Sequence, residues 1–217
     1  MTLAAATSLH DASERISRLY RSMPFDHRRF LAGLESHPDY PAHMSDRYRD
    51  EYACFKYTVA LALKPRSIVE VGVRGGVSAL SFLSACPDAL YTGFDNNRDA
   101  REQGIDFTSH VRGWFTRLDV RADLRIEDSQ LLDRFPYADL VHIDGDHSFE
   151  GVRHDVVAAW RSGAPWILCD DADDCAVVAG IFYALKFDLD RGSAEWCYFP
   201  QTWTGNILIR TNAGEGQ

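Results

Sequence analysis

The sequence predicts an α/β fold built on a doubly wound, mostly parallel sheet, and three observations predict it. From Lys64 onward, apolar runs of strand length alternate with runs of helical period. A glycine turn follows the first of these strands, in Glu70-Val71-Gly72-Val73-Arg74-Gly75-Gly76-Val77-Ser78. Acidic residues then stand at the carboxyl ends of later strands, the edge at which open α/β sheets hold ligands. A chain of 217 residues is long enough for one domain with a full core.

Residues 1–63 read as an N-terminal helical cap or lid of the same domain, and residues 64–212 as its core. The cap holds a basic cluster, His27-Arg28-Arg29, and a loop from Gly33 to Asp46 marked by His37, Pro38, Pro41 and His43. A helical run follows from about Tyr48 to Leu63. Its stripe of Tyr52, Phe55, Val59 and Leu63 predicts packing on the sheet. Strands are expected at Ser67–Val71, Leu90–Asp95, Leu124–Glu127, Leu140–Asp144 and Trp166–Asp170. Helices are expected at Val77–Ala85, Ser129–Phe135 and Phe149–Arg161, the last with Phe149, Val152, Val156 and Trp160 as its core stripe. An apolar helix over Val177–Phe187 precedes two more strands, Glu195–Phe199 and Asn206–Arg210.

Composition bounds the function. The net charge of −9 argues against nucleic acid as a partner, because no basic face would neutralise phosphates. No apolar run reaches bilayer length, so no membrane is expected. Met1 to Ala12 lack a basic stretch followed by an apolar core, the mark of a secretory signal. The five cysteines are odd in number and contain no Cys-x-x-Cys pair, which suits a reduced, cytoplasmic protein.

The glycine turn spaces as Glu-x-Gly-x-x-x-Gly-x-Ser, not as the Gly-x-Gly-x-x-Gly of dinucleotide-binding folds. It resembles the first motif of class I S-adenosylmethionine-dependent methyltransferases, in the catechol O-methyltransferase-like variant. The run Ile143-Asp144-Gly145-Asp146-His147-Ser148-Phe149-Glu150-Gly151-Val152 is similar to a signature of small bacterial O-methyltransferases, including relatives that act on antibiotics and sugars. The resemblance implies a Rossmann-like sheet that ends in an antiparallel hairpin, with S-adenosylmethionine as cofactor. In that frame Glu70, Gly72, Gly76 and Ser78 form the cofactor turn, and Asp95, ending the second strand, is the acid for the ribose hydroxyls. Asp128, Ser129 and Gln130 fall where the family contacts adenine, although Asp-Ser before a helix is equally a good N-cap.

Asp144, Asp170 and Asp171 end adjacent strands. Three converging carboxylates repel unless a cation or protons neutralise them, and all-oxygen ligands favour a hard ion such as Mg²⁺. The family holds Mg²⁺ at these positions with Asp, Asp and Asn; here the third residue is Asp171, as in some macrolide-sugar relatives. Asp144 is also counted in the cofactor site. His147 stands where the family places its catalytic lysine, so the resemblance implies a general base there, and imidazole titrates in the right range. His142 reads as a core histidine. None of Tyr20, Trp114, Phe115, Tyr183 and Trp203 is assigned to substrate, because most large aromatics serve the core. The expectation is a metal-assisted O-methyltransferase of antibiotic biosynthesis or sugar modification, acting on a small hydroxylated acceptor; a homodimer stays open. Its rivals are a metal-independent N- or C-methyltransferase and a non-catalytic module that only binds the cofactor.

Overall fold

The structure, a computed structural model, describes residues 6–22 and 49–212. The basic cluster at His27 and the loop expected from Gly33 to Asp46 lie outside the described residues. Seven strands form one sheet: β1 (Ser67–Val71), β2 (Leu90–Asp95), β3 (Ala122–Ile126), β4 (Leu140–Ile143), β5 (Trp166–Cys169), β6 (Ala194–Phe199) and β7 (Asn206–Thr211). Their order is β3-β2-β1-β4-β5-β7-β6. Strands β1 to β5 pair in parallel, whereas β7 runs antiparallel to both β5 and β6. This is the doubly wound sheet with a C-terminal antiparallel hairpin. The chain reverses its direction of travel across the sheet between β1 and β4, which opens a crevice at their carboxyl ends.

Strand alternation divides the core in two. Ile68, Leu140, Leu168 and Leu208 pack on one face, with Ile16, Phe55, Val59 and Phe82. Val69, Val141, Ile167 and Ile209 pack on the other, with Val152, Val156, Val177 and Ile181. The first face is covered by α1 (Leu9–Ser22), α2 (Cys54–Leu63) and α3 (Val77–Ala85), with a single π-helical turn, Arg49–Ala53, leading into α2. Tyr52, Phe55, Val59 and Leu63 are all buried, as the stripe predicts.

Several elements depart from expectation. Two helices, α4 (Arg98–Gln103) and α5 (Phe107–Leu118), fill the connection between β2 and β3, where the alternation had assigned none. The signal for α5 was present: Phe107, Val111, Trp114 and Phe115 recur at helical spacing and are buried, and Asp106 caps the helix by accepting the Ser109 N–H at 2.9 Å. That burial places Trp114 and Phe115 in the core. Strand β3 starts two residues earlier than expected, because pairing with β2 already begins at Tyr91 and Ala122. The helix expected over Ser129–Phe135 is only a 3₁₀ turn, Ser129–Leu131. Leu132 is already extended, and Pro136 disfavours helical backbone at Phe135. Beyond it lie α6 (Phe149–Arg161) and α7 (Cys175–Asp190), the latter longer at both ends than its apolar run.

Candidate active site

The turn after β1 builds the crevice. Gly72 has φ 84° and lies so close to the end of β4 that a Cβ would sit 1.9 Å from the Asp144 carbonyl oxygen. Gly76, at φ 78°, precedes α3 and leaves room for Val111 and Trp114. At Gly72 only glycine meets both demands, a left-handed backbone and direct contact with the Asp144 backbone. The result is a cleft of about 790 Å³ along the carboxyl edge, within the size range of small-molecule and cofactor sites. Gly72, Gly76, Asp95, Ser129, Asp144 and His147 all line it.

Glu70 lies beneath this cleft rather than on its wall. It is fully buried and accepts hydrogen bonds from Ser78 Oγ and Tyr91 OH, with His142 Nδ1 at 3.1 Å. Burial pushes its carboxyl up to about 7, against the pull of the Ser78 and Tyr91 bonds. Burial likewise pushes His142 down to about 4, so its contact with Glu70 is a hydrogen bond of a neutral ring rather than an ion pair. Glu70 therefore fastens β1, β2, β4 and the start of α3 beneath the turn, through Ser78, which itself lines the cleft.

At one end of the cleft, Asp95 accepts the backbone N–H groups of Arg74 and Asn97, each at 2.6 Å, which fixes both carboxylate oxygens beside the glycine turn. Asp128 accepts the Gln130 N–H at 3.0 Å and so acts as the cap. Gln130 donates its side-chain amide to Asp155 Oδ1 at 2.9 Å. Asp155 is buried, and desolvation raises its carboxyl to about 7. Sequence reading had passed over Asp155; its signal was an acid facing inward on the apolar stripe of α6.

At the other end stand the acids. Tyr52 OH donates to Asp144 Oδ2 at 2.7 Å. His147 Nε2 lies 3.5 Å from Asp144 Oδ1 and 3.1 Å from Asp171 Oδ2. The hydrogen bond to Asp144 and the charges of Asp171 and Asp144 hold the imidazole up at about 9. Asp171 has a left-handed backbone, φ 52°, and its carboxyl is raised by burial and by Asp144. Its neighbour Asp170 is buried at the floor of the same cleft, with Oδ2 2.8 Å from the enclosed Lys56 Nζ and Oδ1 without a hydrogen-bond partner. Two sets of residues have ligand atoms within 4.8 Å of one another: Asp144 with His147 and Asp171, and Asp144 with His142 and Asp170. Asp144, Asp170 and Asp171 do not form one such set among the described residues. The first set faces the cleft and fits a divalent cation, with two carboxylates and one imidazole as donors.

Sequence reading missed Tyr52 and Lys56 as partners of the strand-end acids Asp144 and Asp170. Tyr52 had been counted as core stripe, and Lys56 was a charge four residues after it on the same helical face. Trp203, left unassigned, lies on the cleft wall, whereas Tyr183 is exposed and Tyr20 packs edge-on against Phe55.

Residues 69–172 match the profile of the family described as "Methyltransferase domain". The fold is shared with the SAH-bound Podospora anserina methyltransferase PaMTH1, at TM-score 0.61 and 18% identity, over 96% of this chain and 99% of that one. The O-methyltransferase from Bacillus cereus in complex with SAH aligns at TM-score 0.63 and 13% identity, covering 92% and 99%. The O-methyltransferase TomG from Streptomyces achromogenes, involved in tomaymycin synthesis and solved with SAM, aligns at 0.61 and 15%, covering 93% and 97%. At these identities the likeness is one of fold. Among curated proteins no sequence matches.

Proposed function

We propose that this chain, which carries a methyltransferase domain in the fold of S-adenosylmethionine-dependent O-methyltransferases, moves a methyl group onto a hydroxyl of a small molecule. One observation carries the reading: a single cleft has a glycine-built backbone cradle and a fixed carboxylate, Asp95, at one end, and an acid–imidazole cluster at the other. The cradle suits a nucleoside donor, and the cluster suits a hydroxyl that must be held and deprotonated.

The bound donor supplies an electrophilic methyl on a cationic sulfur, and a divalent ion such as Mg²⁺ or Mn²⁺, where bound, supplies charge that acidifies the acceptor oxygen. Gly72 and Gly76 admit the donor against bare backbone. Asp95 accepts from its ribose hydroxyls with the lone pairs left free by Arg74 and Asn97. Ser129 and Gln130, tied down by Asp155, bound the adenine end, and Glu70 and Ser78 hold the turn from below. Asp144 and Asp171 would hold the ion, with His147 beside it. In its neutral form His147 takes the acceptor's proton at Nε2 as the oxygen bonds to the methyl carbon and the carbon–sulfur bond of the donor breaks. Alignment of the two reactants accounts for much of the acceleration. The cap, residues 1–63, serves as a lid of the same domain, and its Tyr52 orients Asp144. A natural-product or sugar hydroxyl is the favoured acceptor, in keeping with the likeness to TomG. No disulfide joins the five cysteines, in keeping with a reducing, cytoplasmic setting. The buried Lys56–Asp170 pair favours one second reading, methyl transfer without a metal, since it already neutralises one carboxylate.

Calorimetric titration of S-adenosylmethionine into chelator-treated protein, with NAD⁺ as control, tests the assignment. Micromolar binding of the methyl donor alone, about −8 kcal/mol, is the expected outcome. Binding of NAD⁺ in its place, or of neither, overturns it. Acceptor turnover that persists in EDTA selects the metal-free reading.

A further inference from the structure

The end of the cleft remote from the acid cluster is backed by a buried carboxylate. Asp155 lies on the inner face of α6, fully enclosed among the apolar Val152, Val156 and Ala159. It reaches two segments at once. A Cβ on Gly145, which lines the cleft after β4, would stand 3.5 Å from Asp155 Oδ2. Asp155 Oδ1 accepts the side-chain amide of Gln130 at 2.9 Å, from the turn that follows β3. The same amide nitrogen lies 3.4 Å from the Gly151 carbonyl and 3.4 Å from Ser129 Oγ, so three oxygens surround it. This network fixes which way the amide points, because the reversed amide would set its own oxygen against a carboxylate and a carbonyl. Gln130 lines the cleft, and its carbonyl oxygen accepts no hydrogen bond from the described residues. That oxygen is left for a ligand.

We propose that Asp155 is a positioning residue that fixes the polarity of the Gln130 amide, and that the oxygen so presented selects a base with an exocyclic amine, adenine, over its deaminated counterpart, hypoxanthine. The inference rests on the reading of the cleft as a methyl-donor site and deepens it at the nucleobase. Adenine donates an exocyclic N–H to the Gln130 oxygen. Hypoxanthine carries an exocyclic oxygen at the same point, and two facing acceptors leave each other unpaired. A site built around one hydrogen bond rejects the analogue that cannot make it.

Calorimetric titration with S-adenosylhomocysteine and with S-inosylhomocysteine reads this preference without acceptor or turnover. The unaltered protein is expected to bind the adenine ligand at least about tenfold more tightly, or about 1.4 kcal/mol. Asp155→Ala removes the oxygen that orients the amide and is expected to bring the two affinities within about threefold of each other. Asp155→Leu, which keeps the branched outline but offers no acceptor, carries the same expectation if the alanine variant does not fold. An acid that only supports the fold would, when removed, weaken both ligands in parallel and leave their ratio unchanged; that result overturns the proposal. So does equal binding of the two ligands by the unaltered protein, an outcome in which the methyl-donor reading survives. Binding of neither ligand overturns the donor reading itself, and the inference falls with it.

Discussion

His147 illustrates how one side chain's role depends on its neighbours. Three residues separate it from Asp144 in sequence, but the contact that defines it is with Asp171, from a different strand end. If it is the base, His147→Ala lowers turnover by about 10²–10⁴-fold while leaving the dissociation constant for the methyl donor unchanged. Steady-state kinetics beside calorimetry separate the two; equal losses in both would make His147 a binding residue. Glu70 carries the opposite lesson. It heads the motif but stands below the cleft, where Ser78, Tyr91 and His142 converge on it. Its contribution is the rigidity of the turn above.

At the scale of elements, the β1–α3 turn and helix α2 decide the site. Gly72 closes against the backbone of Asp144 and thereby couples the cofactor cradle to the acid that ends β4. Gly72→Ala adds left-handed strain of about 1–2 kcal/mol and forces the turn off Asp144. Thermal unfolding should fall by about 4 °C or more, with donor affinity reduced alongside. Unchanged affinity in a folded variant would show that the cradle does not need this approach. The π-helical turn Arg49–Ala53 supplies Tyr52 to Asp144, and α2, which continues it, supplies Lys56 to Asp170.

At the scale of the whole molecule, buried acids tie stability to pH. Asp155 holds its proton up to about 7, against an ordinary carboxyl value of 3.8, because it is desolvated and faces Asp146 and Asp128; Ser129 and Gln130 only partly offset this. Between those values the folded state keeps a proton that the unfolded chain has released, so this acid's contribution falls as pH rises through the window. His142, pushed down to about 4, acts in the reverse sense and loses stability as pH falls below its ordinary 6.5. Its effect is common to both proteins when Asp155→Asn is compared with the parent. The variant should therefore show a smaller loss of melting temperature between about pH 5 and about pH 8; an identical slope in calorimetric scans would remove Asp155 as the source.

By itself the sequence determined the α/β class, the place of β1, β2, α3 and α6, and the carboxyl edge as the place where the candidate residues gather. These follow from local signals: apolar periodicity, glycines where the backbone must turn, and caps such as Ser148 on α6. It also brought Asp95, Asp144, His147 and Asp171 forward as candidates, all of which line one cleft. Only the tertiary structure decided how the acids divide. Asp170 and Asp171 look alike as a dipeptide, but strand alternation and the left-handed turn at Asp171 send one to Lys56 and the other to His147. Lys56 and Asp170 are 114 residues apart (170 − 56), and no local pattern links them. Pairing between remote charges is set by which helix covers which face of the sheet, and that is settled only when the core closes.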